Sequence, residues 1–316
     1  MKTTPEENYF PNVIGQEDAK SILTFYIEGF KANGVMPNIM LTAPRGCGKT
    51  WIAKALARCL VPTGEVKAKK LITFNCSQLK NLSQFMNEII IPHVNGQECT
   101  VFFDEASELP KDVAMALLTI LNPNPENRNE FAFEDFVVDF DFRRQSFVFA
   151  TTEGQSIFHA LMDRMERVDL QDYDLEELGK ILLCGLEGYD IDADALLEIA
   201  TVLRGNARAG QKMATKIKSY MDAKKITRFQ KKDWGEIGKK LKIKPLGLLT
   251  KELELLHILK RKKSTRLMEL TAILQLSRGA IQRDYELYLM KQGLIEIGPD
   301  GRSLTTRGHE YLKELE

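Results

Sequence analysis

This 316-residue sequence is short of several things, and each shortage excludes a class of protein. Its five cysteines, Cys47, Cys59, Cys76, Cys99 and Cys184, form no C-x-x-C pair and have no histidine at metal-ligand spacing. A zinc ribbon and a disulfide framework are therefore not expected, and the thiols read as reduced and mostly buried. No window approaches the ~20 apolar residues that a membrane helix needs. The opening MKTTPEENYF has no apolar signal core, so a cytoplasmic protein is expected. Repeats and low-complexity tracts are missing too. So is net charge, with 44 Lys and Arg against 44 Asp and Glu, but the balance conceals a split. Residues 1–203 hold 18 basic against 31 acidic side chains, and residues 204–316 hold 26 against 13. A basic C-terminal third suggests a polyanion partner such as nucleic acid, or else solvated lysine-rich helices.

What is present is ordinary globular material, with 44% hydrophobic residues for a core and length for two or three domains. Ile22, Phe25, Tyr26 and Phe30 have helical spacing and predict a helix over residues 18–32. An apolar strand at 38–42 leads into a glycine-bearing loop and then a helix at 51–60, the opening of a parallel α/β sheet. Further strands are expected at 70–75, 100–103 and 146–151, with a helix at 111–121. Phe136, Val138, Phe140 and Phe142 alternate at period two, which predicts a β-hairpin. After residue 169 the strands stop, and helices are expected at 175–186, 193–203 and 207–223. Pro245 and Gly247 mark a boundary. Beyond it come helical stretches at 250–260, 265–274 and 278–292, then a short hairpin around a Pro-Asp-Gly turn, the order of a winged helix-turn-helix.

Ala43-Pro-Arg-Gly-Cys-Gly-Lys-Thr50 fits G-x-x-x-x-G-K-[ST] except at its first position. In such a loop the backbone N–H groups of Gly46, Cys47 and Gly48 cradle phosphate. Lys49 reaches the β- and γ-phosphates, and the Thr50 hydroxyl binds Mg²⁺. About 50 residues on, Val101-Phe-Phe-Asp-Glu105 supplies the second half. Asp104 would hold Mg²⁺ through water, and Glu105 would orient or deprotonate the attacking water. Thr151, at the end of the next expected strand, can touch the γ-phosphate or the lytic water, or be a simple strand end. Arg164 reads equally as an arginine finger for a neighbouring subunit or as a surface arginine paired with Asp163 or Glu166.

In this order, Val13-Ile-Gly-Gln16, the phosphate loop, Phe-Phe-Asp-Glu105, Ala-Thr-Thr152 and Leu161-Met-Asp-Arg164 resemble the AAA+ core of the RuvB family of Holliday-junction branch-migration motors. Arg204-Gly-Asn-Ala-Arg208 resembles that family's R-G-T-P-R, and Tyr288-Leu-Met-Lys-Gln-Gly293 with Pro299-Asp-Gly-Arg-Ser-Leu-Thr305 resembles its final module. The resemblance implies an AAA+ ATPase domain over 1–172, a helical lid over 173–243 and a winged helix over 244–316. It also implies Val13 and Ile14 as nucleotide-binding residues, Arg208 as the lid arginine that senses the γ-phosphate, ATP and Mg²⁺ as cofactors, and a homo-oligomer, a hexameric ring, with ATP sites between subunits. A RuvA-like loader is the implied partner, docked on the aromatic hairpin, although most of Phe131, Phe133, Phe136, Phe140 and Phe142 are expected in the core. Three departures point to a divergent relative: APRGCGKT for GPPGLGKT, Asp163-Arg164-Met165 for D-R-F-G, and a basic Lys260–Arg266 segment where the family is glycine-rich.

DNA contacts are expected from Lys262, Lys263 and Arg266 at the start of the winged helix, Arg278 and Arg283 on its recognition helix, and Arg302 on its wing. The bland alternative is a protein-docking module with solvated cations. The function expected is an ATP-driven motor on branched or duplex DNA, in recombination and repair. Its rivals are a replication initiator or helicase loader, and an ATP-switched DNA-binding scaffold.

Overall fold

The computed structural model describes residues 8–315 and divides into two compact units at Phe229/Gln230. The first unit begins with helix α1 (Glu17–Asn33), strand β1 (Ile39–Thr42) and helix α2 (Lys49–Cys59). Strands β2 (Lys70–Asn75) and β3 (Cys99–Asp104) follow, then helix α3 (Lys111–Ile120). A two-stranded antiparallel hairpin, β4 (Arg128–Phe133) and β5 (Phe136–Asp141), precedes strands β6 (Gln145–Thr151) and β7 (Glu166–Asp169). Sequence periodicity does not single out β7, a strand of only four residues.

Five strands form one sheet in the order β2-β3-β6-β1-β7, all parallel. The interior strands β3 and β6 are buried almost throughout, as their apolar runs require when helices cover both faces. Alternation then sorts their side chains. Phe102 and Val148 pack with Leu23, Ile27, Ile52 and Leu56 of α1 and α2, while Phe103, Phe147 and Phe149 pack with Val113 and Leu117 of α3 on the other side. The Phe103 and Phe149 rings stack at 4.2 Å.

The aromatic hairpin splits between core and surface. Val138, Phe140 and Phe142 are buried, and Phe131 and Phe133 are half-buried against the same core. Phe136 and Val137, beside the turn, are 53% and 64% exposed. Phe131 and Phe133 are thus only partly covered by their own domain. One charged side chain lies deep in this unit. Lys69 donates from Nζ to the Arg143 carbonyl at 2.8 Å and to Ser146 Oγ at 3.1 Å, over the Phe30 ring. Burial pushes its pKa down to about 8.

The rest of the unit holds three helices, α4 (Leu175–Cys184), α5 (Ala193–Val202) and α6 (Ala207–Lys224), with α4 packed on both others, and a short parallel strand pair, Asp190–Ile191 with Arg228–Phe229, so strands do not stop at residue 169 as expected. Asp174 and Glu177 start α4 with a capping box, at 2.8 Å and 2.9 Å. The second unit opens with α7 (Lys231–Leu241), which the sequence assigned to the lid. It continues with α8 (Thr250–Lys262), strand β8 (Ser264–Thr265), α9 (Leu267–Leu274) and a continuous helix α10 over residues 278–291. Strands β9 (Ile295–Gly298) and β10 (Gly301–Leu304) and helix α11 (Thr306–Leu315) complete it. The three strands pair in the order β8-β10-β9 over a core of Leu255, Leu259, Leu270, Ile281, Leu289 and Leu304. This is the expected winged helix with a closing helix added.

Candidate nucleotide site and DNA-facing module

The loop between β1 and α2 sits at the carboxyl end of the sheet, where parallel α/β proteins bind ligands. Gly46 and Gly48 have φ of 89° and 88°, so the chain turns there through the left-handed region that glycine allows. Ala43, in the first position, has no positive φ, and its methyl is buried in the core. The usual glycine is not needed at that position. Lys49 donates from Nζ to the Ala43 and Pro44 carbonyls at 2.7 Å and 3.1 Å, holding its ammonium over the loop. Burial lowers the Lys49 pKa; the Cys47 thiol and Asp104 oppose this, and Arg208 and Arg45 add to it.

Thr50 Oγ1 donates to Asp104 Oδ2 at 3.2 Å, so the two expected Mg²⁺ positions meet. Glu105 is exposed, and its left-handed backbone, φ 56°, turns the chain sharply after the buried strand. Its N–H donates to Asp104 Oδ1 at 3.1 Å.

The lid and the hinge before it grip the back of this loop. Asn206 caps α6, accepting from Ala209 N at 3.0 Å, while its Nδ2 donates to the Arg45 carbonyl at 3.0 Å. Ala207 N–H donates to the Gly46 carbonyl at 3.1 Å. The Cys47 thiol donates to Asp172 at 3.4 Å, and Tyr173 Oη donates to the Cys47 carbonyl at 3.3 Å. Burial raises the Tyr173 pKa to about 12. Asp172, Tyr173, Asn206 and Ala207 are thus contacts that sequence reading missed. The available signal was an N-cap asparagine directly before a basic helix.

Val13 is buried and Ile14 half-buried. Their segment lies beside the loop helix, because Trp51 Nε1 donates to the Asn12 carbonyl at 3.2 Å. Gln16 ties it to the hinge, exchanging two hydrogen bonds with the Gln171 backbone at 2.7 Å and 2.9 Å.

Two residues expected at the nucleotide site stand differently from the sequence reading. Thr151 is fully buried, and its hydroxyl accepts from Glu153 N–H at 3.0 Å, so it does not face a phosphate; Thr152, the next residue, is exposed. Arg164 pairs with neither Asp163 nor Glu166. It donates to the Leu118 and Ala160 carbonyls at 3.0 Å and 2.6 Å and to Asn122 at 3.2 Å, and none of these bonds reaches the phosphate loop.

In the winged helix, Lys263, Arg266, Arg278 and Arg283 are exposed, and Lys262 is exposed but ion-paired with Glu269. Arg302 is not available to a phosphate. Its guanidinium is bound by both carboxylate oxygens of buried Glu286, at 2.7 Å and 3.1 Å, and its side chain is only 12% exposed. The wing strand turns it inward onto α10.

A phosphate loop with a Thr–Asp pair beside it and a helical lid closed on its back is the working part of an AAA+ ATPase. Residues 39–173 match the ATPase family associated with various cellular activities (AAA), so this part of the chain is an ATPase domain of that class. Residues 245–313 match the RuvB C-terminal winged helix domain. The RuvB subunits of the Holliday junction branch migration complex from a Wolbachia of Brugia malayi and from a Nitratiruptor species are each 25% identical, over 99% of this chain and 94% and 92% of theirs. Among solved structures, the Thermotoga maritima RuvB Holliday junction branch migration motor aligns with TM-score 0.74 at 22% identity, over 97% of this chain and 99% of that one. A point mutant of the same protein reaches 0.77 at 22% identity, over 98% of both chains. The chain is a RuvB-like AAA+ protein. No helix among the described residues is long and apolar enough to cross a membrane.

Proposed function

We propose that this chain is an ATP-driven motor that moves branched or double-stranded DNA, acting in recombination and repair in the cytoplasm. The observation that carries this is the lid helix α6 held on the phosphate loop by Asn206 and Ala207, directly before Arg208, in a chain that also carries a RuvB-type winged helix. A change at the γ-phosphate is felt by α6 directly, which is what converts nucleotide state into domain movement.

In this reading Lys49 and the loop N–H groups bind the triphosphate, and Val13 and Ile14 wall the nucleotide. Thr50 and Asp104 are hard oxygen donors that fit Mg²⁺, which takes few protein ligands and keeps its waters and phosphate oxygens. Bound there, the ion neutralises phosphate charge. Glu105 orients and deprotonates the attacking water, and Thr152 replaces Thr151 as the strand-end hydroxyl open to it. Arg164 acts in trans across a hexameric ring, which requires its carbonyl contacts to be released on assembly. Domain limits at 172 and 243, a RuvA-like loader seated on exposed Phe136 and Val137, and phosphate contacts from Lys262, Lys263, Arg266, Arg278 and Arg283 belong to the same reading.

The test is strand displacement on forked and four-way DNA with ATP, with and without candidate loaders. ATP-dependent unwinding of the four-way substrate is the expected result. Stable helicase loading without unwinding, or filament formation with slow hydrolysis, would replace the motor by an initiator or a scaffold.

A further inference from the structure

The basic excess of the C-terminal third is not where the winged helix is. Residues 204–244 hold 14 Lys and Arg against three Asp and Glu, whereas residues 245–316 hold 12 against 10. The module expected to carry DNA is close to neutral, and the charge is concentrated on α6, α7 and the segments flanking them.

Helix α6 buries Gly210, Met213, Ala214, Ile217 and Met221 on one face. Its opposite face exposes Arg208, Gln211, Lys212, Thr215, Lys216 and Ser219. Arg208, Lys212 and Lys216 fall at i, i+4 and i+8, a single row with neighbours about 6 Å apart. The helix has one acidic residue, Asp222, which accepts from Tyr189 Oη at 2.5 Å. Elsewhere the chain balances helical lysines with glutamates a turn away, as in Lys180–Glu176, Lys240–Glu236 and Lys251–Glu254. Lys212 and Lys216 make no ion pair among the described residues. A row of unneutralised cations repels itself, and a polyanion along it removes that cost.

We propose that the exposed face of α6, centred on Lys212 and Lys216, binds the phosphate backbone of duplex DNA and passes that contact to the ATP site. This rests on the reading of the chain as a DNA motor. The coupling is through one rigid element. The helix that presents these lysines also sets Asn206 and Ala207 on the Arg45 and Gly46 carbonyls, with Arg208 the next residue along. DNA drawn along the row therefore biases the lid's grip on the phosphate loop. Thr215 and Ser219, beside the lysines, are small and turn their hydroxyls back onto the Gln211 and Thr215 carbonyls at 3.1 Å and 3.0 Å, which leaves room for a backbone to approach the row.

The test uses the full chain with Lys212→Ala/Lys216→Ala, and Lys212→Arg/Lys216→Arg as the charge-keeping control. Binding to duplexes of two unrelated sequences is measured against salt, with ATPase measured with and without DNA. Loss of two phosphate contacts lowers the log–log salt slope by about 1.8 in the alanine variant. Its DNA-stimulated ATPase falls with it, its basal ATPase does not, and the arginine variant restores both. An alanine variant that keeps the wild-type slope overturns the assignment. So does a loss of DNA binding that tracks loss of self-assembly in DNA-free light scattering. The face would then belong to another copy, whose residues 1–203 carry the acidic excess. A wild-type chain that binds no DNA instead removes the motor reading itself.

Discussion

The Arg302 guanidinium and the Glu286 carboxylate make a two-pronged ion pair, Nε to Oε1 at 2.7 Å and a second nitrogen to Oε2 at 3.1 Å, that pins the wing strand β10 to helix α10. Glu286 is 1% exposed, so neither partner can lose the other without leaving a charge in the core. Arg302→Ala or Glu286→Ala is expected to destabilise the winged helix by about 3–5 kcal/mol, whereas replacing both with apolar residues of similar size costs much less. Urea unfolding of the three variants measures this. A folded Arg302→Ala variant with full stability but a reduced DNA salt slope would return Arg302 to the DNA surface.

Glu105 follows a strand whose last residue, Asp104, holds the Thr50 hydroxyl, and no other acidic side chain follows it directly. Glu105→Gln is expected to retain ATP binding and lose turnover by about 10²-fold or more, while Lys49→Ala weakens binding itself. Fluorescent-nucleotide titration beside steady-state hydrolysis separates the two effects.

Arg164 bonds to carbonyls of its own chain, so its catalytic part depends on a neighbour drawing it out. Arg164→Ala is expected to keep nucleotide binding and lose turnover by ~10³ or more. Mixing it with Glu105→Gln subunits should recover activity, since some interfaces then hold an intact base and an intact finger. No recovery in rings shown to be mixed would place Arg164 in a structural role.

Ala207 donates to the Gly46 carbonyl where the family motif has a proline, which carries no N–H. Asn206 has extended backbone, φ −111° and ψ 108°, which a following proline accepts. Ala207→Pro should therefore fold normally and lose one hydrogen bond between lid and loop. Asn206→Thr keeps a capping oxygen but loses the amide donor to Arg45. Each is expected to speed nucleotide release roughly fivefold, the equivalent of about 1 kcal/mol. Stopped-flow release of a fluorescent nucleotide reads this, and unchanged rates would mean the grip opens before release.

Lys69 has an ordinary pKa of 10.5 and is pushed by burial to about 8, with Glu98, Cys99 and Asp141 opposing the shift. Between about pH 8 and 10.5 the unfolded chain holds a proton the folded chain has released. Stability from this group therefore rises with pH across that window, and below it the cost of burying the ammonium is fully present. Wild type compared with Lys69→Met in urea should gain up to ~1.4 kcal/mol per pH unit there. A pH-independent difference would show that Lys69 stays charged or reaches water.

The sequence alone determined the parts that depend on local chemistry. Ala43–Thr50 reads as a phosphate loop because only glycine takes the two left-handed turns at Gly46 and Gly48 cheaply. The apolar runs of β3 and β6 mark central strands because both their faces must be dry. Helix periodicity and the Pro-Asp-Gly turn fixed the order of the winged helix. The tertiary structure decided everything that depends on what lies across from a residue. Thr151 and Thr152 are one residue apart, and only the β6 register says which hydroxyl is buried and which is open. Arg302 looks like a wing cation until β10 pairs with β8 and turns its side chain onto Glu286. Asn206 looks like a cap until α6 is placed on the phosphate loop, 161 residues away in sequence. Backbone conformation follows from a residue and its neighbours, but a charge or hydroxyl is functional or structural according to its partner, and folding alone brings distant partners together.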